Sequence, residues 1–151
     1  MLVKELLHLS PLRLVTAHPE DSIKEVARRM ARYGVGLIVV MDDGDEFVGV
    51  LSERDIVTGL GDPDSTIEDA VARDLMTESV VTISPEASLV EAALLMNTHG
   101  IRHLVAADGD EPVGVLSIRD VLRIFARQVL NSGGDADGQI KMDFAKALAA
   151  A

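Results

Sequence analysis

Gly49-Val50-Leu51-Ser52-Glu53-Arg54-Asp55 returns 65 residues later as Gly114-Val115-Leu116-Ser117-Ile118-Arg119-Asp120. In both places a short apolar run ends on a serine, and an aspartate follows three residues on. This order reads as a buried strand running straight into a helix, because a serine hydroxyl satisfies an amide donor that the first helical turn leaves unpaired. Working outward, Asp43-Gly44-Asp45-Glu46 matches Asp108-Gly109-Asp110-Glu111 at the same shift. Further upstream the shift becomes 66, so that Thr16-Ala17-His18-Pro19-Glu20-Asp21-Ser22 falls on Thr82-Ile83-Ser84-Pro85-Glu86-Ala87-Ser88. Glu25, Ala27, Met30 and Gly34 fall on Glu91, Ala93, Met96 and Gly100. Even the lead-in Val3-Lys4-Glu5-Leu6-Leu7 is echoed by Ala72-Arg73-Asp74-Leu75-Met76. The chain therefore holds two copies of one supersecondary unit.

Each copy reads as β-α-β-β-α. Ser22-Ile23-Lys24-Glu25 and Ser88-Leu89-Val90-Glu91 have the form of capping boxes. Behind them Ile23, Val26, Ala27 and Met30, and then Leu89, Ala92, Ala93 and Met96, recur at the spacing of one buried helix face. Gly34 and Gly100 stand where a helix end favours a left-handed residue. Leu37 to Val40 and Leu104-Val105 read as buried strands, turned by Asp-Gly pairs at 43–44 and 108–109 into the apolar runs that open this section. The second helices run from Ser52 to about Leu60 and from Ser117 to about Leu130. A turn-rich loop at Gly61 to Ser65 leads into a short helix near Ile67 to Val71. The expected fold class is α+β (α/β), two tandem repeats packed sheet to sheet with pseudo-two-fold symmetry. The expected boundaries are 2–62 and 66–130, with 131–151 a flexible linker and tail.

Composition narrows the function. The chain has 151 residues, 48% of them hydrophobic and only 3% aromatic, so aliphatic residues and methionine build the core. A net charge of −11 repels a phosphate backbone and argues against nucleic acid as a partner. It does not exclude a small anion held at a helix N-terminus. With no cysteine there is no thiol catalysis and no cysteine-rich zinc site. His8, His18 and His99 share no spacing with carboxylates that would hold a metal, and no nucleophile–base–orienter set or P-loop emerges. Asp42 to Glu46 lacks the length and closing glutamate of a calcium loop. Leu2 to Leu9 is broken by Lys4, Glu5 and His8, and Val35 to Met41 is too short to span a bilayer. The reading is a cytoplasmic protein with no membrane partner.

The duplicated phrases around Ser52 and Ser117, with Gly100-Ile101-Arg102-His103-Leu104-Val105, resemble the paired cystathionine β-synthase (CBS) domain. The resemblance covers roughly residues 2 to 130. It implies a regulatory module, not an enzyme, that binds AMP, ADP, ATP or S-adenosylmethionine as a regulatory ligand without an obligatory cofactor. It also implies a homodimer read by a regulated enzyme or transporter. In the family's pattern the hydroxyl contacts phosphate and the aspartate takes the ribose hydroxyls, roles that fall here on Ser52 with Asp55 and Ser117 with Asp120. One site would join Thr16, Gly36 and Leu37 to Ser117, Arg119 and Asp120. The other would join Thr82, Arg102 and His103 to Ser52, Arg54 and Asp55, and its extra arginine and histidine favour the more anionic ligand. The family's middle-strand proline is missing, with Val39 and Val105 in its place, so the adenine wall departs from the pattern.

Ser-x-x-Asp is also an ordinary helix cap, worth about 1 kcal/mol without any ligand. The arginine inside both motifs favours ligand contact, since a cation in a first turn opposes the helix dipole unless an anion accompanies it. The alternative is a structural or dimerisation module with unoccupied clefts.

Overall fold

A computed structural model describes residues 1–9, 14–64 and 67–131. The chain divides into two compact units. The first holds β1 (Thr16–Ala17), α2 (Ile23–Tyr33), β2 (Leu37–Met41), β3 (Phe47–Ser52), α3 (Glu53–Gly61) and α4 (Ala72–Leu75). The second holds β4 (Thr82–Ile83), α5 (Leu89–Thr98), β5 (His103–Asp108), β6 (Glu111–Ser117) from Gly114 onward, and α6 (Ile118–Asn131). It also takes α1 (Val3–Leu9) from the start of the chain. The linker and tail expected after α6 lie outside the described residues.

Both copies form a three-stranded mixed sheet, in the orders β1-β2-β3 and β4-β5-β6. β1 runs parallel to β2 with Thr16 opposite Val39, and β4 parallel to β5 with Thr82 opposite Val105. β2 and β3 are antiparallel, with Leu37 opposite Ser52 and Val39 opposite Val50. Ile38, Val40 and Leu51 pack with Val26, Met30 and Ile56 in one apolar cluster. Val39, on the opposite face of β2, is fully buried as well. A strand buried on both faces has no reason to alternate with polar residues, which is why β2 is an unbroken apolar run. Burying each such side chain contributes about 1.5–3 kcal/mol.

Three local expectations need correction. First, of the two capping boxes expected at Ser22 and Ser88, only the one at Ser88 is complete. Glu91 Oε2 accepts the Ser88 N–H at 2.7 Å while Ser88 Oγ accepts the Glu91 N–H at 3.1 Å. Ser22 Oγ accepts the Glu25 N–H at 3.3 Å, but the Glu25 carboxylate turns to Arg29 (3.5 Å) and Arg28 (3.9 Å), where the second copy has leucines. Second, the left-handed residue of the first hairpin is Asp45 (φ 58°) rather than Gly44. The Asp42 side chain accepts the Gly44 and Glu46 N–H groups at 2.8 and 3.0 Å and shapes a longer turn. In the second copy Gly109 (φ 60°) does follow the Asp-Gly reading. Third, Ile67 to Asp69 is a turn and the short helix begins only at Ala72. Val71 is held extended by a bridge to Ser22, and its N–H donates to Asp74 Oδ2 at 2.9 Å. The two helix-end glycines do adopt the left-handed geometry expected of them, Gly34 at φ 65° and Gly100 at φ 63°, the latter one residue beyond the right-handed cap His99.

The lead-in segments dock by a rule that local periodicity does not reveal. α1 opens copy one in sequence, yet it is bonded to the second unit. The Val3 and Lys4 N–H groups donate to the Ala87 and Pro85 carbonyls at 2.9 Å, and the Leu89 N–H to the Met1 carbonyl at 3.1 Å. α4 plays the same part on copy one, its Ala72 and Arg73 N–H groups donating to Asp21 and Pro19 at 2.9 and 3.0 Å. Thr77 then pairs with Val50 in both directions, at 2.8 and 3.0 Å, covering the outer edge of β3. Among the described residues no helix is long and apolar enough to cross a membrane.

Candidate functional site

In each copy the apolar strand ends on the serine that caps the following helix. At the start of α3, Ser52 is extended (φ −107°, ψ 161°). Asp55 Oδ2 accepts both the Ser52 N–H at 2.7 Å and the Ser52 Oγ–H at 2.6 Å, and Ser52 Oγ accepts the Asp55 N–H at 3.3 Å. At the start of α6, Asp120 Oδ2 accepts the Ser117 N–H at 3.3 Å and the Ser117 hydroxyl, and Ser117 Oγ accepts the Asp120 N–H at 3.3 Å. The two junctions are therefore built alike, down to the atoms used.

A third tie fixes each helix start to its own sheet. The Glu53 N–H donates to the Gly36 carbonyl at 3.1 Å, and the Ile118 N–H donates to the Arg102 carbonyl at 2.9 Å. Gly36 and Arg102 are repeat equivalents just ahead of the middle strands. Within one copy, the residues Thr16, Gly36, Leu37, Ser52, Arg54 and Asp55 thus belong to a single sheet and the helix that leaves it. Thr82, Arg102, His103, Ser117, Arg119 and Asp120 form the corresponding set in the other unit.

Their exposures differ in ways that bear on ligand contact. Thr16, Arg54, Thr82, Arg102 and Arg119 are exposed, while Gly36, Ser52, Asp55, His103 and Ser117 are half-buried. Leu37 is buried among the core side chains, so it offers less open apolar wall than the sequence led us to expect. Among the described residues Asp120 is the one buried charged side chain, at 6% exposure. Burying a carboxylate is costly unless it is paired and hydrogen-bonded, and here the serine and a cation supply the partners. The cation is Arg123, whose Nη1 lies 3.1 Å from Asp120 Oδ1.

The geometry also qualifies the role expected of the hydroxyls. A serine carries one hydrogen, and in both copies it is donated to the aspartate. Contact with a phosphate oxygen requires that hydrogen to rotate away from the carboxylate. Sequence reasoning missed Arg123, since nothing in the repeat marks it: the equivalent residue of α3 is Thr58. It also missed Arg29, whose Nη1 donates to the Thr16 carbonyl at 3.1 Å and bonds Asp21 at 2.7 Å. An arginine at i+4 from the helix's first-turn glutamate was the available signal.

Two strand-to-helix junctions, each closed by a hydroxyl and a carboxylate on a three-stranded mixed sheet, define a duplicated α+β module. The chain belongs to the CBS-domain family, whose domain is matched at residues 3–62 and again at 71–127. It is 30% identical over 112 residues to an uncharacterized protein of Methanopyrus kandleri, covering 74% of this chain and 57% of that one. The chain thus spans little more than half the length of that relative. Among solved structures it resembles a CBS-domain protein from Pyrobaculum aerophilum complexed with AMP, at TM-score 0.71 and 32% identity, over 84% of this chain and 99% of the other. It also resembles the CBS domain pair of protein MJ0100 in complex with 5′-methylthioadenosine and S-adenosyl-L-methionine. That match has TM-score 0.71 and 27% identity, over 83% of this chain and 99% of the other.

Proposed function

We propose that this chain is a non-catalytic regulatory module that binds an adenosyl ligand at its two serine–aspartate helix starts. It would act through a conformational change read by a second copy or by a regulated partner. The observation that carries this reading is the doubled construction of the junction: serine, arginine and aspartate recur in one order, with the same atoms bonded, at both strand-to-helix turns. An ionised carboxylate only accepts, so it suits the two hydrogens of a ribose cis-diol. A helix N-terminus suits the phosphate or carboxylate end of the same ligand. The AMP-bound and S-adenosylmethionine-bound relatives support the ligand class.

A second reading is supported by one specific observation. The Ser52–Asp55 pair forms a complete capping box, each residue satisfying the other's backbone N–H, so it stands without a ligand. On that reading the chain is a structural or dimerisation module. Isothermal titration with AMP, ATP and S-adenosylmethionine separates the two. Binding should be accompanied by a rise in Tm, because ligand at 100 times its Kd adds about 2.7 kcal/mol to the folded state. No heat and no thermal shift with any of the three defeats the sensing proposal and favours the structural one. The grouping of Thr16, Gly36 and Leu37 with Asp120, and of Thr82, Arg102 and His103 with Asp55, is tested by the same titrations. Arg102→Ala should weaken the binding that survives Asp120→Ala and spare the binding that survives Asp55→Ala.

A further inference from the structure

The two helix starts share a motif but not the state of their carboxylates. At Asp120 both oxygens are engaged: Oδ2 accepts from the Ser117 backbone and hydroxyl, and Oδ1 pairs with Arg123 Nη1 at 3.1 Å. The Asp120 side chain is 7% exposed and that of Arg123 is 56% exposed, so the guanidinium lies on the solvent side of a carboxylate that is otherwise enclosed. Arg123 is one helical turn beyond Asp120, so α6 itself brings the two together and no distant element is needed. At the repeat-equivalent position of α3 stands Thr58, so no such ion pair can form with Asp55.

A ribose cis-diol donates two hydrogens and must find acceptor sites on the aspartate from its accessible side. An ionised carboxylate has about four lone-pair sites on two oxygens. On Asp120 the serine takes its share through Oδ2, and Arg123 occupies Oδ1 from the direction of solvent. From this we infer that Arg123 is a latch on the second helix start, competing with the ligand's hydroxyls for Asp120. The Asp55 site fills first, and the Asp120 site fills only when the guanidinium is displaced. The displaced guanidinium sits on an exposed face of α6, where water rehydrates it and limits the cost. The inference rests on the proposed adenosyl-ligand site and adds an order of occupancy to it: one module with two thresholds.

The test isolates one site at a time, with AMP as the titrant and calorimetry as the readout. In the Asp55→Ala background only the Asp120 site remains. There Arg123→Thr, which copies the residue found on α3, should tighten AMP binding roughly two- to fivefold, the range expected for a partly exposed ion pair. In the Asp120→Ala background, Thr58→Arg should weaken binding at the Asp55 site by a similar factor. Tm of each unliganded variant is recorded alongside, so that a general loss of folding is not read as a loss of affinity. Unchanged or weaker binding on Arg123→Thr overturns the latch, and weaker binding makes Arg123 a ligand contact instead. If the unmutated chain gives no heat with AMP, ATP or S-adenosylmethionine, the underlying ligand proposal has failed and the latch falls with it. Binding to the unmutated chain with no response to either substitution overturns the latch alone.

Discussion

At the scale of single residues, two equivalent glycines carry unequal burdens. A Cβ on Gly49 would lie 2.9 Å from the Thr77 carbonyl oxygen and 3.0 Å from Met76 Sδ. That carbonyl is pinned by the Val50 N–H at 3.0 Å, so it cannot yield. The three atoms nearest a Cβ on Gly114 all belong to the Leu7 side chain, the closest at 2.8 Å, and that side chain can swing aside. Gly49→Ala should therefore lower stability by about 1–3 kcal/mol in urea titration, as overpacking does. Gly114→Ala should cost less, its steric penalty partly offset by the roughly 0.4–1 kcal/mol that alanine gains through the unfolded chain. Glu91 supplies a second residue-level expectation. The Ser88 backbone N–H, and then the Ser88 hydroxyl, hold its carboxyl below the ordinary value of 4.5. A folded-state value that is depressed means the cap contributes above the unfolded value and is lost as pH falls through the folded one. Glu91→Gln should flatten the part of the Tm-versus-pH curve that falls as pH drops below the ordinary value of 4.5, leaving the rest unchanged. At this scale the serines and aspartates of both junctions were legible, because each cap has a fixed spacing. Arg123 and Arg29 were not, because an exposed arginine on a helix carries no mark of the partner it meets.

Among the elements, the lead-in helices decide which parts of the chain stand or fall together. α1 buries Val3 completely and leaves Leu6 at 1% exposure, and its bonds run to Pro85, Ala87 and Leu89 of the second copy. Leu6→Ala should remove about 2–5 kcal/mol. Its effect should be local: in hydrogen exchange, α5 and β5 lose protection before β2 and β3 do. Equal loss in both units, or loss confined to the first, contradicts that placement. The sequence displayed the lead-in echo between Val3–Leu7 and Ala72–Met76 but not where either segment docks. Amphipathic spacing reports that a face is buried, not against which copy. The misplaced short helix has a related cause. Ile67 to Val71 has the apolar spacing of a helix, yet the Ala70 carbonyl accepts the Ile23 N–H at 3.1 Å and Val71 is bridged to Ser22, bonds that keep Val71 extended ahead of Ala72.

For the whole molecule, duplication made the architecture readable. Each weak local signal appears twice, and the β-α-β-β-α order emerged from matches such as Met30 with Met96 rather than from any single run. What duplication concealed is inequality, since a repeat draws attention to what the copies share. The pairs that differ, Thr58 with Arg123 and Gly36 with Arg102, are the ones that would make two thresholds from one motif. The net charge of −11 adds a condition on the ligand. A field of that sign disfavours anions at long range, so binding depends on the local helix starts, and salt should weaken it little compared with a nucleic-acid complex. The most direct measurement is the movement of backbone amide resonances when AMP is added to the isotopically labelled chain. The Ser52, Asp55, Ser117 and Asp120 amides should shift together with those of Gly36 and Arg102, those of α3 at lower AMP concentration than those of α6. Silence at all of these amides, or shifts confined to residues remote from both junctions, contradicts the account.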